Sequence, residues 1–96
     1  MFKKIKDESS DIWNKVWHKD TYSRDDLRKL KAKEKVDLLE RYIKITKDSV
    51  VADFGCGGGY LSTEIFNRFN CQVIGYDFSK EAIEVARTKN ISAERI

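Results

Sequence analysis

The stretch Val50-Val51-Ala52-Asp53-Phe54-Gly55-Cys56-Gly57-Gly58-Gly59-Tyr60, with a second apolar run ending at Asp77, constrains this chain more than any other part of it. It reads as a strand, a glycine turn, a helix and a second strand closed by a carboxylate. Ser49 to Phe54 is short and valine-rich, the pattern of a buried parallel strand. Leu61, Ile65, Phe66 and Phe69 then recur at helical spacing, and Asn70 follows as a C-terminal turn residue. Cys71 to Tyr76 is the second strand. A whole helix separates the two strands, so they are expected to pair in parallel through a right-handed crossover.

The flanks extend this α/β pattern. Ser79 caps a further helix, with Glu81 near its positive end and Ala82, Ile83, Val85 and Ala86 turned inward. Asn90 closes that helix, and Ile91 to Ile96 reads as a turn and the first residues of another strand. Upstream, Ile12, Trp13, Val16 and Trp17 give residues 9–19 a short amphipathic helix. Ser23 and Asp26 resemble an N-cap with an acidic first turn. The helix they open is expected to run to about Ile45. Ala32, Val36, Leu39 and Ile43 form its stripe, widened by Leu38, Tyr42 and Ile45. The expected division is residues 1–22 as an N-terminal segment and 23–96 as the α/β domain.

At 96 residues, 41% hydrophobic and 36% charged, the chain has the composition of one small globular domain. No apolar run approaches the roughly 20 residues of a membrane span. The opening Met1-Phe2-Lys3-Lys4-Ile5-Lys6 lacks the apolar stretch of a signal peptide, so a cytoplasmic location is expected. Cys56 and Cys71 stand alone, which argues against a metal site and for a reducing compartment. The net charge of +3 is uneven: residues 1–48 hold fourteen Lys/Arg against ten Asp/Glu, and residues 49–96 hold five against six. Arg28, Lys29, Lys31, Lys33 and Lys35 form the densest basic cluster. Acidic residues interrupt it, so a solvated helix face is favoured over a nucleic-acid surface.

The chemistry lies in the turn. Gly55 and Gly57 follow the strand where the backbone must bend sharply into a helix, and glycine lets a ligand approach the main chain. Amides at a helix start are hydrogen-bond donors. Asp77, about twenty residues beyond Gly57, can accept from both ribose hydroxyls of a nucleoside lying across the strand ends. The bland alternative is a glycine-rich turn beside a solvated carboxylate. A dinucleotide fingerprint fails at Tyr60, where a small residue is required, and a P-loop fails because no Lys-Ser/Thr pair follows the glycines.

At these residues the chain resembles the class I, Rossmann-like, S-adenosylmethionine-dependent methyltransferases. Val51 to Gly59 is similar to their first motif, and Gly75-Tyr76-Asp77-Phe78-Ser79-Lys80-Glu81-Ala82-Ile83-Glu84-Val85-Ala86-Arg87 to their second. The resemblance covers roughly residues 36–90. It implies an α/β fold of parallel strands flanked by helices, the N-terminal part of the family's seven-stranded sheet, with S-adenosyl-L-methionine as cofactor. By this likeness Asp53 and the backbone of Gly55, Cys56, Gly57 and Gly59 surround the methionine end. Asp77 takes the ribose hydroxyls and Phe78 lines the adenine side. Trp13, Trp17 and Tyr22 precede the core where many members carry a lid, and packing is the other reading of those aromatics.

The family's third and fourth strands and its acceptor site are expected beyond Ile96, leaving the sheet incomplete. No residue is an evident candidate for orienting an acceptor, and His18 reads as surface more readily than as a base. Three functions follow. The chain is the cofactor-binding portion of a methyltransferase, active only when completed, or a catalytically inactive homologue acting as a regulatory or structural subunit, or a nucleic-acid binder through its basic half. Open sheet edges point to self-association or to a partner that completes the sheet. The methyl acceptor is not legible.

Overall fold

The computed structural model describes residues 24–96. Helix α1 (Arg24–Leu39) leads into β1 (Val50–Phe54), α2 (Tyr60–Phe69), β2 (Gln72–Asp77), α3 (Lys80–Arg87) and β3 (Ser92–Arg95). The strands form one parallel sheet in the order β1-β2-β3, with Val50 opposite Gln72 and Ile74 opposite Ser92. The short strand expected before Ile96 is therefore present and pairs on the far side of β2, which corrects the expectation that a third strand lies beyond Ile96. The N-terminal segment, residues 1–22, lies outside the described residues, as do Ser23 and its expected cap.

Alternation along the strands sorts side chains onto two faces. Val51, Val73 and Ala93 face the helices, where two clusters form. Val36, Ile65, Cys71 and Val73 make the first, under α1 and α2. Cys56, Ile83, Ala86 and Ala93 make the second, under α3. On the opposite face Val50 is 68% exposed and Phe54 72%, with Phe54 stacked on Tyr76 at a ring separation of 5.1 Å. This corrects the expectation of a strand buried on both faces. A valine-rich run marks β structure without saying how many faces are covered.

Helix ends follow local chemistry. Asn70 closes α2 in the left-handed region (φ 53°), its N–H bonded to the Phe66 carbonyl. The Ser79 hydroxyl accepts from the Ala82 N–H at 3.2 Å and caps α3. Two expectations fail. Helix α1 ends at Leu39 instead of near Ile45, because Arg41 and Tyr42 bond back three residues, to Leu38 and Leu39, and tighten the chain into a turn. Ile43 is exposed and drops out of the stripe, Leu38 and Tyr42 are exposed and do not widen it, and Ile45 packs against the core from beyond the helix. Val85 is also exposed, since only Ile83 and Ala86, three apart, meet the sheet from α3.

Arg68 fastens α2 to α1. Its guanidinium donates to Asp37 at 2.7 Å, to Glu40 at 2.8 Å and to Glu64 at 3.3 Å. The three carboxylates hold it above its ordinary pKa, Glu40 most strongly. Together these contacts set α1 beside the turn that leaves β1.

Candidate functional site

Strand β1 delivers Asp53 to its C-terminal end, and the chain reverses through Gly55, Gly57 and Gly59, all at positive φ (77°, 54° and 83°). A Cβ on Gly55 or Gly57 would meet nothing within 4 Å, so the backbone there is open to a ligand. Gly59 serves packing instead: a Cβ would lie 2.9 Å from Ile91 and 3.1 Å from Ala86. Gly75 in β2 does the same, since a Cβ there would fall 2.8 Å from the Cys56 sulfur.

The turn spends most of its own donors. Gly55 and Cys56 both donate to the Tyr76 carbonyl, at 2.7 and 2.9 Å, and Gly59 donates to the Cys56 carbonyl at 3.0 Å. The Gly57 N–H donates to Asp77 Oδ2 at 2.9 Å, while Asp77 Oδ1 accepts from the Ser79 N–H at 2.9 Å. Those two bonds, the Ser79 one foremost, hold the Asp77 carboxyl below the usual carboxylate range. Among the described residues only the Gly58 N–H in this turn lacks a partner. The row of donors anticipated from the glycines thus narrows to Gly58 and the opening amides of α2.

Asp53 is oriented from behind. The Ser62 hydroxyl, fully buried on α2, donates to Asp53 Oδ2 at 2.6 Å. Beside Asp53 and Gly55 opens a cleft of about 370 Å³, walled on its far side by Arg28, Lys31 and Lys35 of α1. Cys56 contributes a buried thiol whose pKa is pushed up by desolvation and by the Asp53 and Asp77 carboxylates. It stays protonated at neutral pH, which disfavours a nucleophilic role.

A strand end, a glycine bend and a carboxylate on the next strand, joined by a hydrogen bond across twenty residues, are now in one place. The family profile described as "Methyltransferase domain" matches residues 45–95. The chain belongs to this methyltransferase family, in its class I form. Among solved structures, a SAM-dependent methyltransferase from Anabaena variabilis is 29% identical, with 71% of this chain and 29% of that one covered and a TM-score of 0.54. The plantazolicin methyltransferase in complex with SAH is 31% identical, at 73% and 27% coverage and a TM-score of 0.51. Magnesium protoporphyrin IX methyltransferase from Synechocystis, solved with bound SAM, shares the fold at 18% identity, covering 92% of this chain and 48% of that one with a TM-score of 0.60. The chain thus spans 27% to 48% of the length of these relatives. No curated protein matches it in sequence.

In this methyltransferase domain, Asp53, Gly55, Cys56, Gly57, Gly59 and Asp77 gather at one end of the sheet. Phe78 follows directly and is 78% exposed at the same edge. Trp17 and Tyr22, like Trp13 and His18, lie outside the described residues. Sequence reasoning missed the Ser62 bond, and it missed the Lys89 ammonium donating to the Gly58 carbonyl at 2.7 Å. Ser62 carried a signal, a hydroxyl three residues before Ile65 on the inward stripe. Lys89 carried none, because its partner is a main-chain carbonyl. Among the described residues no cluster could hold a metal ion, and no helix is long and apolar enough to cross a membrane.

Proposed function

We propose that the chain is the S-adenosylmethionine-binding portion of a class I methyltransferase. The observation that carries this reading is the hydrogen bond from the Gly57 N–H to the Asp77 carboxylate, beside glycine backbone open to solvent. A carboxylate has about four acceptor sites. Gly57 and Ser79 use two and the Phe78 amide also faces the carboxylate, so Asp77 retains acceptor capacity for the ribose. Gly58 offers its N–H, Gly55 and Gly57 give room for close approach, and Asp53, steadied by Ser62, faces the cleft at the methionine end. Phe78 supplies an apolar surface on the adenine side. The bound cofactor supplies an electrophilic methyl group on a sulfonium.

Methyl transfer further requires an acceptor aligned with that methyl group, because positioning provides much of the rate. We assign this task to elements outside the described residues, whether on the same polypeptide or on a partner. The exposed sheet face at Val50 and Phe54 favours a second reading, a cofactor-binding subunit that acts by docking. Titration of the chain with S-adenosylhomocysteine, the demethylated product of the cofactor, tests the first reading. Asp77→Ala is expected to lose at least about tenfold in affinity, in line with removal of a charged hydrogen-bond acceptor. Undiminished binding in a folded variant would refute the ribose assignment.

A further inference from the structure

The three-glycine run is the least constrained backbone in the chain by residue type, yet its one unpartnered amide must keep a fixed direction to serve a ligand. Asp77 holds the peptide before it, through the Gly57 N–H. The peptide after it, between Gly58 and Gly59, is held at both ends. Its N–H bonds to the Cys56 carbonyl at 3.0 Å, and its carbonyl, Gly58 O, accepts from Lys89 Nζ at 2.7 Å. A trans peptide is planar with these two groups on opposite sides, so a bond at each side fixes the plane.

Lys89 is placed for this contact. It follows α3, and its ammonium sits 4.1 Å from the Tyr60 ring centroid. The Tyr60 hydroxyl donates to Asp25 Oδ1 at 2.6 Å, and Arg28 lies 5.7 Å from the same ring. Lys89 makes no ion pair among the described residues, and burial lowers its pKa. A partly buried ammonium satisfied by a neutral carbonyl and a ring face is unlike the solvated lysines elsewhere on the surface.

We propose that Lys89 is a positioning residue for the cofactor site, clamping the Gly58 carbonyl so that the Gly58 N–H stays directed at the ligand. This rests on the cofactor reading only for what the amide meets; the clamp belongs to the ligand-free chain. Two measurements on the full chain separate the two. Amide exchange by NMR reads the turn without ligand, and titration with S-adenosylhomocysteine reads the site. The variants are Lys89→Met, Lys89→Arg as the conservative rescue, and Lys47→Met as an equal change of charge on an exposed loop. If Lys89→Met folds poorly, Lys89→Leu, which likewise has no donor, replaces it.

Lys89→Met is expected to speed exchange at Gly59 and to weaken binding by about tenfold, the effect of one charge-assisted bond. Lys89→Arg should recover part of both, and Lys47→Met should change neither. Unchanged Gly59 exchange in Lys89→Met overturns the clamp. Faster exchange with unaltered affinity overturns its role in positioning the site, and if Asp77→Ala still weakens binding then the cofactor reading survives. If the wild-type chain binds no S-adenosylhomocysteine, the cofactor reading falls, and exchange at Gly59 alone decides the clamp.

Discussion

Asp77 is tied to two main-chain amides, and this gives the molecule a defined response to acid. Its folded pKa lies below the unfolded value, so the stability it contributes is complete above the ordinary aspartate range and is lost as pH falls through the lowered value. Urea midpoints measured from neutral pH downward should therefore fall more steeply for the wild type than for Asp77→Asn in the region below the usual Asp pKa. Parallel curves would remove Asp77 from the acid response. Asp77 was legible from its place at the end of a strand, and Asp53 from the motif resemblance. Of their orienting partners, Ser62 left only the hint of a hydroxyl on the inward stripe of its helix, and the Gly57 amide left none, because both act through distances that only the folded chain supplies.

Helix α2 links the site to the core. One of its faces carries Ser62 toward Asp53, and the next inward residue, Ile65, is buried among Val36, Cys71 and Val73. Ile65→Ala should cost about 2–5 kcal/mol in urea unfolding, a large part of the roughly 5–15 kcal/mol a domain has. A loss under 1 kcal/mol would mean that the contact is not tightly packed. Element types and their order were readable from periodicity, and the Asn70 and Ser79 caps from residue type. The end of α1 was not. Tyr42 and Ile43 continue an apolar rhythm past Leu39, and the three-residue back-bonds that stop the helix leave no mark in hydropathy.

At the scale of the molecule, the three parallel strands of the described residues carry helices on one face and leave Val50, Phe54 and Tyr76 on the other. Parallel sheets are normally covered on both faces. The chain alone should therefore self-associate, and Phe54→Asn should lower the mass seen by light scattering at equal concentration. A wild-type chain that stays monomeric throughout would contradict this. The parallel register was foreseeable from the intervening helix. The uncovered face was not, since Val50, Ala52 and Phe54 look no different from core residues on paper.

Before any small molecule arrives, the glycine bend is already cross-stitched to the neighbouring strand at Tyr76 and Asp77. A receptor whose main chain is set in advance has little backbone left to organise during capture. Encounter should then be governed by diffusion and access, with the on-rate rising in proportion to ligand concentration and showing no plateau from a slow rearrangement.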